Sequence, residues 1–277
     1  MSEDDAASRQ RLGSSPDGYA ALDAPALRAL LAERDRALAD LAASQEEFLR
    51  AVSHDLRAPL RHITSYGPLV RELVEDDANG LPAEAREEAG AFLNTMDQAS
   101  RRMGQMLDGL LALSRVGRAP LALTPVDLGQ LVQEARAALA SQAAGRLVEW
   151  AVETRGITLH ADPVLLRQML VELLGNALKF TRLHTAAEAP ARIAVRARAL
   201  PEGSMAWQVQ DNGVGFDPAR GGALFGIFQR AHREGDFEGV GAGLATVRAI
   251  AQRHGAGVSI TATPGAGCTV SVEWSAG

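Results

Sequence analysis

One cysteine in 277 residues, Cys268, leaves no partner for an internal disulfide. Nothing covalent staples this fold, and a cytoplasmic setting is the expectation. Aromatic residues make up only 4% of the chain. That is too few for the aromatic-rich strands of sandwiches and barrels, whereas the abundant Ala, Leu and Arg favour long helices. No apolar run approaches the ~18 residues that a membrane-spanning helix needs. The opening MSEDDAASRQ lacks the basic and apolar regions of a signal peptide. A basic excess is missing too, since the net charge is −6. This argues against a nucleic-acid partner, whose phosphates require a concentrated basic face. What is present, 47% hydrophobic residues, is ample for a packed core. The length allows one large domain or two modest ones.

Residues 1–22 are polar and read as a flexible tail. A helical pattern starts near Pro25, a favoured first-turn residue. Leu27, Leu31, Leu38, Leu41, Phe48 and Val52 fall at heptad positions, which suggests a parallel two-stranded coiled coil. The pattern continues through Leu56, Leu60, Ile63 and Val70, then stops at EDDANGLPA, a loop. The cleanest stripe follows: Ala85, Ala89, Phe92, Met96, Ala99, Met103, Met106, Leu110 and Leu113 alternate spacings of four and three. Two helices with one such stripe each cannot enclose a core alone, and a dimer would complete a four-helix bundle. Residues 117–125 read as a linker. Beyond it the spacing predicts helices over 127–143, 163–181 and 242–254, and strands over 147–153, 157–160, 191–199, 205–211, 257–262 and 268–274. Glycine-rich loops gather after residue 211, so an α/β sandwich that binds a ligand through its loops is expected.

Four constellations carry candidate chemistry. His54 lies about 200° around a helix from both Val52 and Leu56, away from the apolar stripe. Asp55 is beside it, and Pro59, with no N–H, should bend the helix one turn later. The imidazole suits a nucleophile whose other N–H a carboxylate orients, although this segment by itself reads more readily as an ordinary solvated histidine. Glu172, Asn176, Lys179 and Phe180 share a helix face at i, i+4, i+7, i+8. They could hold a hydrated Mg²⁺ and phosphate oxygens, or simply form a polar face. Asp211-Asn-Gly213-Val-Gly215 ends an apolar run, where backbone can approach a flat ligand while the carboxylate accepts an exocyclic amine; a plain turn has the same composition. Gly239-Val-Gly241-Ala-Gly243-Leu244 opens a helix and presents N–H groups to phosphate. It is not a dinucleotide fingerprint, because the strand–loop–helix unit is missing. Before it, LFGIFQR offers an aromatic pair for a lid and Arg230 for phosphate charge.

In their order these segments resemble a two-component sensor histidine kinase. SHDLRAPL around His54 matches the phosphoacceptor box of the HisKA dimerisation domain. ELLGNALKF, DNGVGF, LFGIFQR and GVGAGL match the N, G1, F and G2 boxes of the ATP-binding fold shared with gyrase-type ATPases and MutL-like proteins. The resemblance covers about residues 40–275, and FQRAHREGDFEGVGAGLATVRAIAQRHG is most similar to kinases attached to phytochrome-type photosensors.

The resemblance implies a multidomain α and α/β chain. A coiled coil and HisKA helical hairpin (23–118) would form a four-helix bundle in a homodimer, followed by an α/β sandwich ATP-binding domain (119–277). It implies that His54 accepts a phosphoryl group from ATP, that Asp55 assists, and that the group passes to an aspartate on a response regulator. Asn176 would ligate Mg²⁺ with Glu172 nearby, Lys179 would stand near phosphate, Phe180 would close the N box, and Asp211 would read adenine. Gly213, Gly215, Gly239, Gly241, Gly243 and Leu244 would shape the nucleotide site and lid. No sensor domain is recognisable before the coiled coil, so the signal is expected through a separate sensor protein, the short N-terminus or a region outside this chain. The alternative reading is a degenerate kinase that serves as an ATP-responsive dimeric scaffold or phosphatase. Position 58 is Ala where many family members carry Thr or Asn for dephosphorylating the partner. His62, His160, His184, His232 and His254 match no catalytic position and are expected to be structural or on the surface.

Overall fold

The computed structural model describes residues 23–76, 80–117, 120–183, 190–200, 204–233 and 235–274. Within its first helix the side chains of residues 26, 37–55, 58 and 59 also lie outside the description. The tail expected over 1–22 therefore falls outside the described residues. The chain divides into two units, 1–54 and 55–277. In the first, residues 24–54 form the beginning of helix α1 (Ala24–Glu75), where Leu27 and Leu30 are half-buried and Leu31 is exposed. The helix assignment runs unbroken through position 59, so the bend expected at Pro59 does not end the helix.

In the second unit, the remainder of α1 pairs with α2 (Ala83–Val116). Arg57 Nη2 meets Asp108 Oδ1 at 2.7 Å, and Arg71 Nη2 donates to Asn94 Oδ1 at 2.8 Å. These contacts step equally along each helix in opposite senses, so the pair is an antiparallel hairpin. Inside the chain, α2 buries Leu93, Ser100, Leu107 and Leu111. The stripe read from the sequence lies beside that seam. Its members Phe92, Met96 and Met103 remain 61%, 50% and 45% exposed, together with Leu56, Tyr66, Leu69 and Leu73 of α1. A helix in a four-helix bundle needs more than one apolar seam, and the described residues of the single chain fill one.

Thr124–Asp127, which begins within the last two residues of the stretch read as a linker, forms strand β1 and pairs antiparallel with β3 (Thr158–Ala161). The helix expected over 127–143 is two, α3 (Leu128–Ala138) and the single turn α4 (Ala140–Ala143). The break is Leu139, whose N–H bonds to both Ala135 and Arg136 carbonyls while its side chain is buried. Strands β2 (Val148–Glu153), β4 (Ala191–Ala199), β5 (Met205–Asp211), β7 (Gly267–Trp274) and β6 (Gly257–Thr263) form one sheet in that spatial order. Only β2–β4 is parallel. Alternation decides the faces: Ala191, Ile193 and Val195 point into the core, while Arg192 and Arg196 pair with Glu149 and Glu153 at 3.0 and 3.2 Å on the other face.

Helix α5 (Pro163–Phe180) is the spine of the core. Pro163 opens it, and Asp162 caps it by accepting from the Val164 and Leu165 N–H groups. Burial works against the Asp162 charge, but N–H donors from Ala122, Leu165 and Val164 outweigh it and hold the carboxyl below its ordinary range. Leu166, Met169, Leu170, Leu173, Leu174 and Leu178 are sealed against the sheet and α3. This leaves Glu172, Asn176, Lys179 and Phe180 half-buried along another face. At the far end Arg146 Nη1 donates to the Leu178 carbonyl at 2.8 Å, which satisfies one of the helix's last acceptors. Helix α6 (Gly243–Arg253) packs beside α5 and contributes Val247, Ile250 and Ala251 to the same core.

Candidate functional site

A cavity of about 330 Å³ opens against α5, the ends of β5 and β7, and the loop that leads into α6. Its walls include Glu172, Asn176, Lys179, Phe180, Asp211, Gly215, Arg230, Gly239, Gly241, Gly243 and Leu244. Segments far apart in the chain thus meet around one volume. Gly213 is not among the lining residues and bonds to one that is, Asp211.

At one end Asp211 closes strand β5 and is 9% exposed. Burial pushes its carboxyl up to about 6, opposed by backbone N–H donors from Gly213 and Cys268. The Gly213 bond to Oδ1 is 2.8 Å. The glycines here are required by close approach. A Cβ at Gly213 would sit 2.6 Å from the Phe180 carbonyl oxygen, and one at Gly215 would sit 2.0 Å from that of Thr263. Cys268 lies directly across from Asp211 on β7, and burial followed by the Asp211 charge pushes its thiol up to about 12. It is a neutral, protonated wall at any physiological pH. The turn Gly265-Ala-Gly267 is the hairpin between β6 and β7, and it also seats the site: Gly265 N–H donates to the Val214 carbonyl at 2.7 Å.

At the other end α5 faces the glycine loop. A Cβ on Gly243 would lie 2.5 Å from Glu172 Oε2 and 3.8 Å from Asn176 Nδ2, so both side chains turn toward the start of α6. A Cβ on Gly239 would lie 3.7 Å from Lys179 Nζ, which also sits over the Phe180 ring at 4.5 Å. Burial raises the Glu172 carboxyl above its ordinary range, and Lys179 counters part of that. Burial first, then the Arg230 charge, lowers the Lys179 ammonium. Arg230 lines the cavity while one Nη donates to the Phe237 carbonyl. The loop is pinned by Phe228, whose N–H bonds to the Gly241 carbonyl at 2.9 Å.

Two contributions to this wall have no signal in the local sequence. His232, expected to be structural or on the surface, lines the cavity and packs 5.4 Å from Phe180 and 5.1 Å from Phe237. Helix α2 supplies Gln105, Gly109 and Ala112. The other histidines behave as expected where described: His62 and His160 are exposed, and His254 is bonded within the fold. His184 lies outside the described residues. The side chains of His54 and Asp55 also lie outside them, and the backbone of both is helical.

Among the described residues no three or more His, Cys, Asp or Glu gather to hold a metal. Mg²⁺ requires no such cluster, because it takes one or two protein oxygens and fills its octahedron with phosphate and water. Glu172 and Asn176, one turn apart beside Gly243, fit that sparse demand. An anionic group at the start of α6 would also meet the helix N-terminus and the Lys179 ammonium.

Residues 161–276 match the family described as histidine kinase-, DNA gyrase B-, and HSP90-like ATPase. Residues 44–119 match the His Kinase A (phospho-acceptor) domain. The chain is 29% identical over 229 residues to cyanobacterial phytochrome B of Nostoc sp., covering 81% of this chain and 28% of that protein. It is 31% identical over 231 residues to the methanogenesis regulatory histidine kinase FilI of Methanothrix harundinacea, covering 82% and 24%. It thus spans about a quarter of the length of these relatives. The full-length structure of ShkA in complex with AMPPNP aligns with a TM-score of 0.56 at 27% identity, over 82% of this chain and 45% of that one. The Acinetobacter baumannii histidine kinase AdeS shares the fold, with a TM-score of 0.51 at 18% identity over 80% of this chain and 97% of that one. Among the described residues no helix is long and apolar enough to cross a membrane.

Proposed function

We propose that this chain, which belongs to the two-component sensor histidine kinases by its phospho-acceptor and ATPase domains, is the kinase core that carries phosphate from ATP to His54 and on to a response regulator. The observation that carries the reading is the convergence of Asp211, Lys179, Asn176 and the Gly239–Gly243 loop on one cavity. Asp211, ionised at neutral pH, accepts the exocyclic amine of adenine. The triphosphate then runs toward Lys179 and the N-terminus of α6, where ammonium, guanidinium and backbone N–H groups spread its charge. Asn176 and Glu172 would hold Mg²⁺, which supplies charge neutralisation on the phosphate oxygens.

In the transfer, a ring nitrogen of His54 forms an N–P bond to the γ-phosphorus. The bond from that phosphorus to the β,γ-bridging oxygen breaks, and ADP leaves with the electron pair. Asp55 orients the other imidazole N–H and stabilises the positive charge that grows on the ring. In the second step the N–P bond breaks and an O–P bond forms on the regulator's aspartate, which returns His54 to neutral imidazole. The exposed Phe92, Met96 and Met103 support a homodimer that covers them in a four-helix bundle. A cytoplasmic setting and Mg²⁺ dependence belong to the same proposal.

Incubation with γ-labelled ATP and Mg²⁺ tests the reading. Label on the chain that acid removes and base does not is the signature of phosphohistidine. Bound nucleotide without any such label would favour the degenerate scaffold instead.

A further inference from the structure

Helix α6 is tied to α2 at both of its ends. At its start, Ala242 comes so close to Gly109 of α2 that a Cβ on Gly109 would lie 2.8 Å from the Ala242 Cβ. No ordinary side chain fits there. At its other end, Arg253 Nη1 donates to the carbonyl of Val116, the last residue of α2, at 2.7 Å. That carbonyl is one of the four a helix end leaves without an internal partner. The next residue continues the tie. His254 Nε2 accepts from the Asp162 N–H at 3.0 Å, and its Nδ1 lies 2.8 Å from the Ile250 carbonyl. Asp162 Oδ2 in turn accepts from the Ala122 N–H at 3.0 Å. The Arg253–His254 corner therefore holds the chain on both sides of the segment that joins α2 to β1.

At 1.5 Å per residue the two ties lie about 16 Å apart along α6. Helix α2 turns Gln105, Gly109 and Ala112, spaced four and three, onto the cavity, and Gly109 is itself one of the ties. Helix α2 is thus one wall of the nucleotide site, and the Gly239–Gly243 loop is fixed to that wall through the first turn of α6. A rigid rod attached at both ends transmits displacement of α2 to the loop. The anchors, a side-chain hydrogen bond and a contact that only glycine permits, can each be released by one substitution.

We propose that Arg253 is a positioning residue for the nucleotide: by tying the far end of α6 to Val116 it holds the glycine loop and the α2 wall together over the bound ligand. The proposal rests on the cavity being the ATP site. Arg253 touches no ligand and acts only through α6.

The test is the rate of nucleotide release, followed by displacement of a fluorescent ATP analogue from the full chain. Arg253→Met keeps the apolar stem and removes the donor, Arg253→Lys keeps one donor, and Gly109→Leu forces the opposite end apart. Changes this far apart normally act independently and their effects multiply; here Arg253→Met and Gly109→Leu should each speed release by about three- to ten-fold, yet the double variant should be no faster than the faster single. Arg253→Lys should restore the wild-type rate. Should Arg253→Met fail to fold, Arg253→Gln with Gly109→Ala loosens the same two ties and is judged by the same criterion. Unchanged release in a folded variant, or multiplied effects in the double, would overturn the proposal. A wild-type chain that binds no analogue would instead overturn the reading of the cavity.

Discussion

Substitution of Asp211 by Asn should make the protein more stable and less able to bind ATP. Burial raises this carboxyl from 3.8 to about 6, so the folded state holds its proton more tightly than the unfolded chain does. The stabilisation from that proton is complete below about pH 4 and is lost as pH rises through about 6. At pH 7 the ionised group opposes folding by up to about 3 kcal/mol, the free-energy equivalent of that pKa difference. Asn keeps the shape, and its amide oxygen can still accept the Gly213 N–H, but no charge is buried. Thermal unfolding at pH 7 should therefore move upward in Asp211→Asn, and the gain should vanish near pH 4. For the ligand the change is adverse. A charged acceptor for the adenine amine is worth about 1.5–3 kcal/mol, or roughly 10- to 150-fold in Kd. Binding that needs the ionised form should also weaken about tenfold between pH 7 and pH 5, as the ionised fraction falls to about a tenth. That component should be missing from the variant, so the difference between the two pH profiles isolates Asp211 from titration of ATP itself. Calorimetric unfolding and nucleotide titration at both pH values measure all of this. A variant that is destabilised at pH 7, or that binds ATP as tightly as the wild type, would refute the reasoning.

Asn176→Asp keeps an oxygen but adds charge beside the phosphates, and Mg²⁺-dependent nucleotide binding should weaken by about 1–3 kcal/mol in a titration with and without the metal; unchanged affinity would remove Asn176 from the ligand set. Met103→Glu places a charge on the open seam of α2 and should convert a dimer into monomers or unfolded chain by sedimentation, because an unpaired charge in that core is costly. A well-folded monomeric wild type at micromolar concentration would count against the bundle. Ala58→Thr, one helical turn after His54, restores a hydroxyl that can align water. It should speed loss of phosphate from the regulator while autophosphorylation stays within a few-fold, and rapid dephosphorylation by the wild type would defeat that inference.

Much of the architecture was legible because it rests on local patterns. The strand from Ala191 to Ala199 buries Ala191, Ile193 and Val195 at alternate positions, and α5 carries a capping Asp162, a first-turn Pro163 and an apolar face in register. Glu172, Asn176, Lys179 and Phe180 of that helix could be placed on one face from spacing alone. What escaped was long-range. Strand β1 is four residues with a proline and only Val126 buried, so it is a strand solely because β3 lies alongside. His232 has no helical or strand period to place it; it reaches the cavity through packing on Phe180 and Phe237. Gln105 and Gly109 sit on a helix whose periodicity announces a bundle, and nothing within that helix tells which of its faces meets Ala242, 133 positions further on. Gly267 opens β7, and a Cβ there would lie 2.0 Å from the Asp211 carbonyl oxygen, so the start of that strand also supports the buried acid.

The central claim is that His54 receives the phosphoryl group from ATP held in the cavity of the second unit. The direct measurement compares wild type and His54→Gln for two quantities: acid-labile label from γ-labelled ATP, and affinity for the nucleotide. The account predicts that the variant takes up no label and binds ATP as the wild type does. Label retained at wild-type level in His54→Gln would contradict it.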